Sequence, residues 1–422
     1  MADLLHERQL SVGFRVQSDY RTEAATGIPA DWSWITSTPP EIAPAREVED
    51  LGLVAPQPMA EIAPAVGSQY GGTFKITFPL TSQEAGYDPS AGDPVLTPEL
   101  ALIADCWGSS SIDSWLASVL SGAQTANVLT TGVGDEMTEG AAMAFGSTTV
   151  AKAIGWIKSV VATTTTLFED LRAAVVATDN GIPMITIYPT TTTPTARTFR
   201  VVGADGHDLR YVGCVPVKLE MSLESGKVIF ATVTFSFAKT VFSPTGGGPG
   251  LQIPTAYSRI PALLGDFGAR LWIDGANLQD GTPEPLGSCD VVNVSLTIDL
   301  VHRETKCHGA TQGVADVEVV DRKLSLTATV PYSDEHSDAG GIPDVENALA
   351  NGTGFSLSVE SGDTPGALFA MLIPNLQIKD QYSFGSENGV YALGFTGNAG
   401  PYSGDEVGAA APANTVARLA VG

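Results

Sequence analysis

Histidine and cysteine are the side chains most often recruited to move protons or hold metals, and here both are scattered. The five histidines (His6, His207, His302, His308 and His336) include no His-Glu-x-x-His pair. The four cysteines (Cys106, Cys214, Cys289 and Cys307) include no Cys-x-x-Cys, which excludes a zinc ribbon or a redox pair and leaves reduced thiols as the expectation. Cys307-His308 is a poor metal site, because adjacent ligands rarely face one ion and no second pair lies nearby. No Gly-x-Ser-x-Gly elbow supplies a nucleophile, and Thr245-Gly-Gly-Gly-Pro-Gly250 ends without the lysine that a phosphate loop needs. Acid pairs such as Asp135-Glu136 and Asp334-Glu335 are too common at this composition to mark an acid–base couple. The sequons Asn293-Val-Ser295 and Asn351-Gly-Thr353 carry little meaning where the N-terminal residues Met1–Arg8 show no secretion signal. These residues point to no catalysis, no cofactor and no metal.

The elements that carry them are mostly strands. Leu10, Val12 and Phe14 alternate with polar partners, as do Phe74, Ile76 and Phe78, then Leu324, Leu326, Ala328 and Val330. In Val217–Glu224, Lys218, Glu220, Ser222 and Glu224 alternate with Val217, Leu219, Met221 and Leu223. In Asn293–Leu300 the polar set is Asn293, Ser295, Thr297 and Asp299. Each such sheet has one face against a core and one toward water. Thr97-Pro-Glu caps a short helix running to Asp105, and Ile342–Asn351, with Pro343 near its start, reads as a second. No run of apolar residues is long enough for a membrane helix.

Gly213–Leu223 with Lys227–Phe237, and Phe369–Ile378 with Val390–Phe395, read as one hairpin written twice, each opening on an X-Pro step. At 422 residues two domains are expected. The Gly/Pro-rich stretch from Ser243 divides the chain into a first β domain (1–242), a linker (243–254) and a second β domain (255–422). The first half holds an insert, about 107–210, with expected helices around Val150–Val160 and Leu167–Ala177. A net charge of −25, from 22 basic against 47 acidic residues, argues against holding a phosphate backbone and fits a soluble surface that repels polyanions.

Three stretches resemble the tail tube (major tail) proteins of long-tailed bacteriophages: Leu10–Thr22, Tyr211–Phe235 and Phe369–Phe395. The resemblance implies a mainly β fold of two tandem tube-like sandwich or barrel domains, each flanked by a short helix, with the insert an α/β addition to the first. It implies a virion structural protein made in the host cytoplasm. Its three chains would close a pseudo-sixfold ring, and rings would stack into a tube that conducts genome DNA without binding it. The other partners it implies are the tape measure, tail terminator and distal tail proteins, with no membrane. Carboxylates on the bore would repel phosphate, and Glu220, Glu224, Asp299, Asp321 and Asp380 are the candidates for that lining. The Val301–Asp316 segment, with His302, Arg303, Glu304 and Lys306, suits a contact loop toward an adjacent ring, or an ordinary hairpin loop. A tandem β-sandwich binding module, an adhesin or carbohydrate binder, is the alternative, with Trp107 and Trp115 its only aromatic support.

Overall fold

The computed structural model describes residues 10–18, 24, 31–49, 65–84, 87–112, 127–130, 137–168, 171, 174–203, 208–224, 227–243, 259–261, 293–306, 314–331, 355–379, 383–387, 390–405 and 412–422. The first part of the chain contributes β1 (Leu10–Val16), β2 (Ser33–Ile35), β3 (Glu41–Glu49), β4 (Ala65–Pro79), β5 (Thr81–Glu84), α1 (Pro98–Trp107) and β6 (Gly108–Ile112). The stretch expected to be an insert contributes β7 (Val128–Thr130), β8 (Ala142–Gly146), β9 (Ala151–Val161), β10 (Thr164–Leu167) and β11 (Asn180–Pro183), and then β12 (Ile185–Pro189) and β13 (Arg197–Gly203), which belong to the main sheet. Next come β14 (Asp208–Glu224), β15 (Phe230–Phe237), β16 (Lys239–Ser243) and β17 (Arg259–Pro261). The last part adds β18 (Asn293–Lys306), β19 (Val314–Pro331), β20 (Phe355–Ser361), β21 (Phe369–Ile378), β22 (Ser383–Glu387), β23 (Val390–Ala399) and β24 (Arg418–Val421).

The fold is mainly β, with α1 the one helix among the described residues. Thr97 caps α1 as its sequence predicts, its hydroxyl accepting from the Leu100 amide at 3.3 Å, with Pro98 in the first turn. Gly108, at φ 138, ends it where a Cβ would meet the Thr190 backbone at 2.4 Å. The second expected helix, 342–351, and the glycine tract 244–250 lie outside the described residues.

The main sheet runs antiparallel through β3, β4, β15, β14, β18, β19 and β23. Two series within it share one order. In the first, β3 pairs β4, β4 pairs β15, β15 pairs β14 and β14 pairs β13. In the second, β18 pairs β19, β19 pairs β23, β23 pairs β21 and β21 pairs β20. Even the flanking strands recur, β16 against the start of β14 and β24 against the start of β21. The series meet where β14 pairs β18, from Lys218 opposite Asp299 to Glu224 opposite Asn293. Among the described residues no sheet closes on itself into a barrel.

One hydrophobic cluster lies beneath both series, joining Phe74, Ile76 and Phe78 to Met221, Val233, Leu296, Leu326 and Phe395, with Leu102 and Ile103 of α1 packed in. The insert builds its own five-stranded sheet, β11-β8-β9-β10-β7. The helix expected around Val150–Val160 is a strand: β9 pairs β8 on one side and β10 on the other. Its centre, Ala153 through Ile157, is buried on both faces, so the continuous apolar run that suggested a helix fills two packing layers instead. Gly155 belongs to this packing, because a Cβ there would meet Leu167 at 2.9 Å. The start of the other expected helix, at Leu167, is the end of β10.

Candidate functional surface

Strand alternation sorts the main sheet into two faces. Over residues 73–79 of β4, 230–237 of β15, 218–224 of β14, 293–301 of β18 and 321–329 of β19, alternate residues point toward the shared core and those between face outward. The outward residues form cross-strand rows. One runs Glu41, Lys75, Thr234, Lys218, Asp299, Lys323. The next runs Thr77, Thr232, Glu220, Thr297, Ser325, Asn398, Gln377. A third runs Pro79, Phe230, Ser222, Ser295, Thr327, Thr396. Hydroxyls dominate, and some meet across strands: Thr77 and Thr232 at 2.8 Å, Thr327 and Thr396 at 3.4 Å.

Of the five candidate lining carboxylates, four are described, and all four sit on this face. Glu220 accepts from Lys218 Nζ at 2.7 Å, and that bond raises the lysine's pKa. Glu224 pairs with Lys227 across the hairpin turn at 2.5 Å. Asp299 is exposed between Lys218 and Lys323 in register. Asp321 lies opposite Val301, next to a bulge at Val320 of β19. Asp380 lies outside the described residues.

The segment from Val301 to Asp316 continues β18 and β19 as a long hairpin. His302 is half-buried, hydrogen-bonded to the Pro216 backbone, with Nε2 buried and unpartnered; burial lowers its pKa. Arg303 pairs with Glu318 across the hairpin, and Glu304 is exposed. Lys306 ends β18, opposite Val314. Cys307 and His308 lie outside the described residues.

Several residues that hold this surface have no signature in the sequence. Arg322 of β19 donates to the carbonyls of Cys106, at the end of α1, and of Thr190 and Thr192. One guanidinium therefore ties the second series to the helix and to the loop after β12. Three donors in a rigid fork suit three convergent carbonyls, and the helix C-terminus favours the positive charge. Arg418 and Asp405 form a fully buried ion pair, with Tyr402 donating to Asp405 at 3.0 Å and Arg418 to Thr415 at 3.1 Å. Arg200 grips Asp208 through two bonds, 2.9 and 2.8 Å. Nothing in spacing marks these pairs, because their partners are fixed by strand pairing across the fold. The cysteines described, Cys106 and Cys214, are buried, and burial pushes both thiols well above their ordinary pKa, which leaves them unreactive.

Among the described residues β2, β6, β16 and β20 each pair with one strand, and so do two strands at the ends of the run from β3 to β23. β3 pairs β4 alone, and β22 pairs β23 alone. Their counterparts in the recurring order, β18 and the second half of β14, are paired with each other. Exposed unpaired edges of this kind are ready templates for another strand. The described residues contain no group of three potential metal ligands and no helix long and apolar enough to cross a membrane. A family model described as phage tail tube protein matches residues 8–407. No curated protein matches the chain.

Proposed function

The chain belongs to the phage tail tube protein family, a component of the virion tail that self-assembles and meets other tail proteins, and from that premise we propose how its copies assemble. Chains join head to tail, the open β22 edge of one receiving the open β3 edge of the next. The β14–β18 junction inside each chain is the template for this contact, since it joins the same two places of the recurring strand order. Three chains, each contributing two series, close a pseudo-sixfold ring, and rings stack into the tube. The hydroxyl-rich face lines the bore, with Glu220, Glu224, Asp299 and Asp321 on it, and genome DNA passes along it during ejection. The projecting β18–β19 hairpin, with Arg303 and Glu304, reaches the adjacent ring. The tape measure, terminator and distal tail proteins meet the tube in its bore and at its ends. The role is structural and has no chemical step.

The observation that carries this reading is the pair of vacant edges whose counterparts are already joined within the chain. Edge pairing is selective for geometry, because both backbones must present complementary donors and acceptors along the seam. Electron microscopy and native mass measurement of the purified protein test it together. Rings with three times the mass of the 43.8 kDa chain, stacked into tubes, are expected. A compact monomer that persists at high concentration would overturn the reading.

A further inference from the structure

Among the described residues, the face assigned to the bore carries little net charge, although the chain carries −25. Its charged positions among the described residues include the carboxylates Glu41, Glu220, Glu224, Asp299, Asp316, Glu318 and Asp321 and the cations Lys75, Lys218, Lys227, Arg303 and Lys323. These charges are also locally matched. Lys75 bonds Glu41 at 3.2 Å, Lys218 bonds Glu220 and Lys227 bonds Glu224. The match recurs in both series: β3 places Glu41 opposite Lys75 of β4, and β18 places Asp299 opposite Lys323 of β19. Lys75, Lys218 and Lys323 fall in one row on alternate strands, about 10 Å apart by the usual strand spacing. Threonine, serine and amide side chains fill most of the positions between.

We infer that the polyanion crosses the bore over a hydrated, charge-balanced hydroxyl surface, and that like-charge repulsion contributes little. This rests on the tube reading above. A lysine already held by a carboxylate has little to gain from a phosphate, because binding by lysine is driven largely by counterions released from the nucleic acid as its charge is neutralised. Hydroxyls hold water that bridges to phosphate oxygens, and one such contact replaces another at little cost as the duplex advances. Uniform carboxylate lining would instead repel the backbone with a strength that depends on ionic strength.

The test uses assembled particles that carry altered tube protein, with tube formation checked first by microscopy. One variant removes hydroxyls at constant shape (Thr232→Val, Thr297→Val and Thr327→Val). The other removes matched charges without changing the net charge (Lys218→Gln with Glu220→Gln, and Lys323→Gln with Asp299→Asn). Genome release is timed with a DNA-binding dye after triggering, over a range of salt. The hydroxyl variant is expected to slow release several-fold, while the charge variant stays within about twofold and the salt dependence stays shallow, since the wall offers little net charge to screen. Slowing by the charge variant with no effect of the hydroxyl variant would overturn the inference and leave the tube intact. If the valine variant forms no tube, serine at the same positions, which keeps the hydroxyl, together with the charge variant decides: normal release by both supports the inference. Failure of the unaltered chain to form tubes would overturn the tube reading and this inference with it.

Discussion

Arg322 is the residue whose loss should be felt furthest, because its three bonds join parts of the chain more than a hundred residues apart. Replacing it with glutamine strands three carbonyls at the end of α1 and in the loop after β12, and hydrogen bonds from a charged donor are each worth up to about 3 kcal/mol. Arg322→Gln is expected to lower stability by about 2–4 kcal/mol in urea unfolding, with Arg322→Lys recovering only part, since an ammonium lacks the planar fork. At Asp405 the logic is stricter. Asp405→Asn leaves the Arg418 guanidinium fully buried without a countercharge, at a cost of about 3–5 kcal/mol, and adding Arg418→Met should restore much of it. Equal stability of the single and double variants would show that the ion pair is not what ties Asp405 to β24. His302 gives a pH signature. Its folded-state pKa is lowered by burial, so below the ordinary histidine range the unfolded chain binds the proton more readily than the folded one. Stability should therefore fall as pH drops from neutrality toward 5, and His302→Gln should flatten that fall. Unfolding curves at pH 7 and pH 5.5 that shift in parallel for both proteins would refute the assignment.

At the scale of elements, β14 and β18 decide whether the chain behaves as two units or one. The sequence expectation places a boundary between them, yet Met221 of β14 lies opposite Leu296 of β18, and both point into one cluster. Met221→Ala and Leu296→Ala should each cost about 2–5 kcal/mol. Their double variant should depart from additivity by about 0.5–3 kcal/mol, because neighbours share the cavity they leave, whereas sites in independent domains add. Thermal unfolding should accordingly show one transition. Strands with strict alternation, such as Asn293–Leu300 and Val217–Glu224, were readable from sequence because each has one wet face, and the capped helix after Thr97 was readable because its cap is local. β9 was not, because a strand buried on both faces carries no alternation and its Ala/Ile/Val run fits either geometry. The candidate surface was legible as individual positions, since Glu220 and Asp299 occupy wet phases of their strands. Its charge balance was hidden, because Lys75 meets Glu41, and Lys323 meets Asp299, only through cross-strand register. Arg322 was hidden for the same reason, since its partners converge in space from distant segments, and Arg418 was hidden because no local motif marks its pairing with Asp405.

The whole molecule must reconcile an attractive seam with strongly repulsive charge. Each chain carries 25 excess negative charges, and the described residues of the face assigned to the bore hold little of that excess. When rings form and stack, charged subunits approach one another, and the energy of bringing them together depends on how far their fields extend. That reach is about 8 Å at physiological ionic strength and about 30 Å at 0.01 M. The proposed β3–β22 seam would be short-ranged hydrogen bonding that responds little to salt, whereas repulsion between whole subunits grows as salt is withdrawn. Tubes are therefore expected to shorten and release rings when dialysed to about 0.01 M salt, and to re-form on return to about 0.15 M. Sedimentation with electron microscopy of the same samples reads both states. Cysteines placed pairwise along β3 and β22, for example at Ala43 and Gly385, locate the break: crosslinks between chains that survive in the low-salt rings show that the seam holds while stacking fails. Tubes that lengthen as salt is removed would mean that complementary charge between rings, and not the backbone seam, drives assembly.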